Sequence, residues 1–166
     1  IGFAFVRRRS GLRPLFFGGE QEKGLRPGTE GVHQIAGMAR AFELSYHNLE
    51  ADTKHISELK AYLIGQLEIE FPKYKINGNQ EGFYTVLNIQ LPFSEDKTAM
   101  ILFHLDMKGI AVSRGSACQS GSISPSHVLE EILPKEEVNK PSLRISFSHY
   151  NSKEDIDYLI SCLKTI

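Results

Sequence analysis

The 166-residue sequence is short of the features that mark several protein classes. It has no tryptophan and only two cysteines, Cys118 and Cys162, which is too few for a disulfide scaffold and fits a reducing compartment. No apolar run reaches the roughly 18 residues that a membrane-spanning helix needs, which argues against a membrane protein. Lysine and arginine number 19 against 20 aspartates and glutamates, so no broad nucleic-acid-binding surface is expected. We therefore expect a cytoplasmic protein.

The composition fits a single folded core. Hydrophobic residues make up 41% and charged residues 23% of the sequence, and a chain of this length buries roughly 70% of its extended surface on folding. The sequence starts at Ile1 with an apolar run to Val6 that is typical of a strand, without the charged region and cleavage site of a signal peptide. We interpret it as a fragment of a longer protein.

The order of sequence patterns predicts an α+β fold. Residues 1–17 are typical of a strand, a turn and a second strand, and the glycine-rich residues 18–29 of a loop. An apolar periodicity of 3.6 residues begins at Thr29, with Thr29 or Glu30 as its cap, and a second helical stretch runs from about Glu50 to Phe71, ended by Pro72. Strands and helices then alternate: strands at 85–91, 110–113 and 142–147, and helices at 97–107, 124–133 and from 151 onwards.

Three residues are candidates for chemistry. Cys118 lies among glycine, serine and alanine, which predicts an exposed thiol that is either incidental or a reactive group activated by Arg114 or a helix N-terminus, whereas Cys162 lies on the apolar face of the last helix. Arg144 alternates with Leu143, Ile145 and Phe147 in its strand, so it is either a solvent-facing residue or a fork for a carboxylate. Thr29 follows Gly28 at a helix start and is either a plain cap or a phosphate contact.

The six histidines give weaker signals. None is spaced from another histidine or a cysteine as metal ligands are, so no metal site is expected. A hydrolase with Cys118 as nucleophile and a histidine as base stays open, although nothing in the sequence selects the histidine. A non-catalytic module that only docks other proteins is the other alternative.

Four motifs in order give a resemblance that covers essentially the whole chain. They are Gly-Gly-Glu-Gln-Glu-Lys-Gly-Leu-Arg-Pro-Gly-Thr-Glu at 18–30, Arg-Gly-Ser-Ala-Cys-Gln-Ser at 114–120, Pro-Ser-His-Val-Leu at 125–129 and Ser-Leu-Arg-Ile-Ser-Phe at 142–147. Together they resemble the C-terminal portion of a NifS/IscS-type cysteine desulfurase of the class V aminotransferase family. The Gly-Ser-Ala-Cys motif distinguishes the desulfurases from the aminotransferases of that family.

The resemblance implies a pyridoxal-phosphate enzyme that takes sulfur from L-cysteine, releases L-alanine and keeps the sulfur as a persulfide. Cys118 matches the nucleophile, Arg144 the residue that binds the substrate carboxylate, and Thr29 a residue that reaches the cofactor phosphate of the partner subunit in a homodimer. The persulfide sulfur would pass to iron–sulfur scaffold or tRNA-thiolation proteins. Neither a membrane nor a nucleic acid is implied as a direct partner.

The resemblance also implies a division of the chain. Residues 1–29 match the end of the large cofactor-binding domain of a fold-type I pyridoxal-phosphate enzyme, residues 30–71 a connecting helical arm, and residues 72–166 the small α+β C-terminal domain. The lysine that binds the cofactor lies, in this family, ahead of the strand that matches Ile1 to Val6. We therefore expect the isolated 166 residues to be inactive.

Overall fold

A helix of 39 residues, α1 (Val32–Glu70), is the longest element of the computed structural model, which describes residues 1–98, 100–114 and 126–166. The other elements are β1 (Lys75–Ile76), β2 (Val86–Gln90), α2 (Ile101–Met107), α3 (His127–Ile132), β3 (Ser142–Ser146) and α4 (Lys153–Leu163), with 3-10 turns at Gln21–Gly24 and Glu95–Thr98. The chain divides into two compact units, unit 1 (Ile1–Leu49) and unit 2 (Glu50–Ile166). The division into the domains 1–29, 30–71 and 72–166 stays a prediction.

Residues 1–20 of unit 1 form neither strand nor helix, so the prediction of strands within 1–17 is wrong. A strand is stable only when a neighbouring strand takes up its N–H and C=O groups, and unit 1, all of which the structure describes, contains none. The apolar side chains that suggested strands are instead exposed, Phe5 to 86% and Phe17 to 88%. The predicted loop at 18–29 is confirmed, with one short 3-10 turn in it.

The two predicted helical stretches are one continuous helix. Residues 44–50 between them contain neither glycine nor proline, so nothing in the sequence breaks the hydrogen-bond ladder there. The helix starts at Val32, so neither Thr29 nor Glu30 is its cap. Its predicted buried face in unit 2 is confirmed, and the helix ends two residues before Pro72. The buried side chains of that face are Ile56, Leu59, Leu63 and Leu67.

The sheet is antiparallel and has the order β1-β2-β3. Leu87 and Ile89 of β2 lie opposite Ile145 and Leu143 of β3, and these four buried side chains face the core. The core also contains apolar side chains of α1, α2 and α4. The predicted strands at 85–91 and 142–147 are thus confirmed, whereas the predicted strand at 110–113 is reduced to one bridge, Ser113 with Arg144.

Helix ends account for the other differences in unit 2. The predicted helix at 97–107 is split into a 3-10 turn and α2, and the chain leaves α2 through Gly109, whose φ of +75° is the left-handed conformation that glycine tolerates. The last helix is capped by Ser152 with Asp155, one residue later than the predicted box at Asn151 and Glu154. The described residues form a mixed arrangement of helices and a small sheet, which agrees with the predicted α+β class. No helix in the described ranges is both long and apolar enough to cross a membrane.

Candidate functional site

Arg144 is fixed on both sides through its backbone. On one side it is the register partner of Asn88 in β2. On the other side its N–H donates to the Ser113 carbonyl at 2.6 Å, and the Ser113 N–H donates to the Arg144 carbonyl at 3.1 Å. Since the neighbours Leu143 and Ile145 are buried in the core, alternation directs the half-buried Arg144 side chain to the opposite, polar face of the sheet.

The Arg144 guanidinium has no carboxylate partner within the part of the chain that the structure describes, which holds all 20 aspartates and glutamates. Every ion pair in that part of the chain, with its nitrogen and oxygen at most 4.0 Å apart, involves a cation other than Arg144. A guanidinium is charged at every physiological pH and offers five N–H donors in a planar fork. Arg144 therefore presents an uncompensated positive charge that suits a carboxylate ligand.

A second guanidinium follows the Ser113 bridge directly. The Arg114 side chain is half-buried, and its desolvation lowers the pKa of the guanidinium from the usual value of arginine. No aspartate or glutamate in the described ranges pairs with it either. Arg114 thus adds positive charge where the chain enters the segment with the candidate nucleophile.

The candidate nucleophile Cys118 lies in 115–125, outside the described residues, so its predicted exposure stays a prediction. It follows Arg114 by four residues, which limits the separation of the two Cα atoms to about 14 Å in any conformation. The contrasting prediction for Cys162 is confirmed, because this free cysteine is buried in the core on α4.

Thr29 lies in unit 1, in a turn held by local hydrogen bonds. Gly28 before it has a φ of +98°, its N–H donates to Gln21 Oε1 at 3.2 Å, and its carbonyl accepts from Arg26 Nη1 at 2.6 Å. Thr29 is exposed and precedes the first residue of α1 by three positions. Its hydroxyl and N–H groups are donors of the kind that a phosphate group accepts.

Sequence reasoning missed a polar network beside Arg144. Asn77 Nδ2 donates to Asn88 Oδ1 at 2.9 Å and lies 3.1 Å from Ser142 Oγ. Ser142 is itself buried. The sequence does show a polar residue, Asn88, between Leu87 and Ile89 of the predicted strand. Its position opposite Arg144, however, depends on the strand register.

His55 and His149 make polar contacts in unit 2. The ring nitrogen Nε2 of His55 lies 2.9 Å from the Asn151 carbonyl oxygen, and Nδ1 of His149 lies 3.8 Å from Asp52 Oδ2. Within 1–98, 100–114 and 126–166, no group of three or more histidine, cysteine, aspartate or glutamate residues is placed to hold a metal ion. These contacts connect α1 to the loop after β3, and neither involves Arg144.

Comparison with known proteins gives one family. The family model of aminotransferase class-V matches residues 1–159. The cysteine desulfurase IscS of Dictyoglomus turgidum is 36% identical over 166 residues, which are all of this chain and 42% of that protein. The mitosomal cysteine desulfurase of Encephalitozoon cuniculi is 36% identical over 159 residues, 95% of this chain and 36% of that protein. The chain thus spans about two fifths of the relatives that it matches.

Solved structures of similar proteins agree with this. A NifS-like protein is 29% identical with a TM-score of 0.76, over 95% of this chain and 40% of that one. The NifS-like protein from Rickettsia africae is 32% identical with a TM-score of 0.73, over 92% of this chain and 39% of that one. The described fold is therefore the one that these proteins have over the matched region.

Proposed function

This chain belongs to the aminotransferase class-V family, and we propose that it is part of a cysteine desulfurase that uses pyridoxal phosphate. The whole protein takes the sulfur of L-cysteine, releases L-alanine and holds the sulfur as a persulfide on Cys118. Support comes from the relatives that match the chain over its whole length and are named cysteine desulfurases. Delivery of the sulfur to iron–sulfur cluster assembly or tRNA thiolation, in the cytoplasm, completes the proposal.

The observation that carries the proposal is the backbone bridge between Ser113 and Arg144. It joins the strand that bears an uncompensated guanidinium to the point from which the chain runs to Cys118. A desulfurase needs this combination, because the substrate carboxylate must be held while a thiolate reaches the substrate sulfur. A carboxylate fork next to a nucleophile-bearing segment has no corresponding purpose in a docking module.

Three residues of this chain each have one task in the proposed reaction. Arg144 binds the carboxylate of L-cysteine through two parallel N–H donors and so orients the substrate. The Cys118 thiolate forms a sulfur–sulfur bond with the substrate sulfur as the carbon–sulfur bond breaks, and the freed carbon takes a proton. The sum is L-cysteine plus enzyme thiol giving L-alanine plus enzyme persulfide, which balances without another oxidant. Arg114 favours the thiolate through its positive charge.

The donor chemistry of this chain fits one part of the cofactor and one part of the substrate. The exposed Thr29 hydroxyl suits the cofactor phosphate, in the proposed homodimer that of the partner subunit, and Arg144 suits the substrate carboxylate. When bound, pyridoxal phosphate supplies the electron sink for breaking the carbon–sulfur bond. No lysine of this chain directly follows a histidine, which is where this family has the lysine that binds the cofactor. We assign the chain to the C-terminal region of a fold-type I enzyme and expect it to be inactive alone.

The test is alanine formation from L-cysteine by the whole protein, including the region that the family has ahead of Ile1. Arg144→Lys keeps the charge but loses the planar fork, so we expect KM for L-cysteine to rise by at least about tenfold. Arg40→Lys is the matched control, since Arg40 is an exposed helix residue that pairs with Glu43 on the same helix. No alanine from the wild type, with ester hydrolysis in the absence of cofactor, would point to the hydrolase instead. No alanine with retained binding of acceptor proteins by Cys118→Ala would point to the docking module.

A further inference from the structure

Asn88 is the residue directly opposite Arg144. The register of β2 and β3 pairs these two residues, and both side chains are half-buried. Opposite residues in an antiparallel pair point to the same face of the sheet, with Cβ atoms about 4.5–5.5 Å apart. The neighbours of Asn88 in β2, Leu87 and Ile89, face the core, which puts Asn88 on the polar face with Arg144.

Asn77 fixes which way the Asn88 amide points. The Asn77 side chain donates to Asn88 Oδ1 at 2.9 Å, and its backbone N–H donates to the Asn88 carbonyl at the same distance. Asn77 is itself buried and is also held by Ser142 Oγ at 3.1 Å. Because Oδ1 is engaged by Asn77, the Nδ2 group with its two N–H donors lies on the other side of the Asn88 amide.

Two donor groups therefore share one small area of the polar face. The Asn88 amide nitrogen and the Arg144 guanidinium are both donors only and cannot bond to each other. Among the described residues, no carboxylate lies within 4.0 Å of the Arg144 guanidinium. An acceptor with two oxygens and a negative charge would satisfy both donors at once.

We infer that Asn88 is a second carboxylate-binding residue, which donates through Nδ2 to the same substrate carboxylate that Arg144 binds. Asn77 is a positioning residue, since it acts only by holding the Asn88 amide. The inference rests on the proposed function, because it takes the α-carboxylate of L-cysteine as the shared acceptor. It adds specificity, since an amine or thiol without a carboxylate would leave both donors unpaired.

The test is the kinetics of Asn88→Leu in the whole protein, with alanine formation as the readout. Leucine has a similar size and no donor, so KM for L-cysteine is expected to rise about tenfold, the effect of losing a hydrogen bond to a charged group, while kcat changes less than about twofold. In an Arg144→Leu background the same substitution should have a clearly smaller effect on KM, because the two residues share one ligand. Asn48→Leu, at an exposed position of α1, is the matched control.

The outcomes separate this inference from the proposed function. If the wild type forms no alanine from L-cysteine, the proposed function is wrong. If the wild type is active and Asn88→Leu leaves KM unchanged, the inference is wrong while the proposed function stands. A lower kcat together with a lower unfolding temperature, without a rise in KM, would mean that Asn88 has only a structural role. Asn88→Ala, which also lacks the donor, replaces Asn88→Leu if that variant does not fold, and must give the same rise in KM.

Discussion

Lys60 is a charged residue inside the core of unit 2. Only 7% of its surface is exposed, and its ammonium group donates to the carbonyls of Gly82 and Phe83 at 3.2 and 3.3 Å. These bonds fasten α1 to the turn that leads into β2. A long side chain can bury its methylene groups and still satisfy its charged end in this way.

We predict that Lys60→Met lowers the free energy of unfolding by about 1–3 kcal/mol, because methionine fills the space but leaves two carbonyls without their donor. Urea denaturation of the 166-residue chain measures this. Lys54→Met, at an exposed position on the same helix, is the control and should have little effect. Equal stability of Lys60→Met and the wild type would mean that the two bonds contribute nothing net.

At the residue scale, the sequence predicted what depends on neighbours along the chain. The alternation of Arg144 with Leu143 and Ile145, and the buried position of Cys162, both follow from periodicity and are confirmed. The pairing of Arg144 with Asn88 depends on strand register, which no local pattern contains. The role of Cys118 stays a prediction because it lies outside the described residues.

At the scale of elements, an ion group holds the edge of the sheet. Glu137 accepts from Lys75 of β1 and also lies 3.8 Å from Lys140 Nζ, while its backbone carbonyl accepts from Gln90 of β2 at 3.0 Å. The hydrogen bond from Lys75 is the main cause that holds the pKa of the Glu137 carboxyl below its usual range. The segment 134–140 is thereby fastened to two strands.

Because folding lowers the pKa of Glu137, the stability of the protein depends on pH in a direction that can be predicted. The Glu137 contribution to stability is complete above the unfolded-state pKa of about 4.3 and is lost as the pH falls through the lower folded-state pKa. We predict that Glu137→Gln is less stable than the wild type at neutral pH, and that the difference shrinks as the pH is lowered below about 4. Urea denaturation at a series of pH values measures this difference in stability. Glu136→Gln, at the exposed neighbouring position, is the control. A difference that does not depend on pH would contradict this account.

The strand prediction was wrong where the stability of a strand depends on a neighbouring strand rather than on its own sequence. The apolar run from Ile1 to Val6 has the composition of a strand but no neighbouring strand in unit 1. The helix through residues 44–50 was missed, although Phe42, Tyr46 and Leu49 keep the spacing of a helical face and no residue breaks the backbone ladder. Strands β2 and β3, whose alternation matches a buried face, were predicted correctly.

At the scale of the whole molecule, the buried core belongs to unit 2. Every buried hydrophobic residue lies between Ile56 and Leu163, and the structure describes all of unit 1, in which no residue is buried. We predict that a chain of residues 50–166 unfolds cooperatively in urea, with a free energy of unfolding within about 1 kcal/mol of that of the full 166 residues. Loss of the cooperative transition would show that unit 1 supports the core.

The assignment of Cys118 as the nucleophile is tested by the intact mass of the whole protein, measured with and without L-cysteine and pyridoxal phosphate. We predict a gain of one sulfur atom that disappears on reduction and does not occur in Cys118→Ala. Cys162→Ala is the matched control and should still gain the sulfur, because its thiol is buried in the core. No gain in a protein that binds the cofactor, or a gain that persists in Cys118→Ala, would contradict the assignment of Cys118 as the nucleophile.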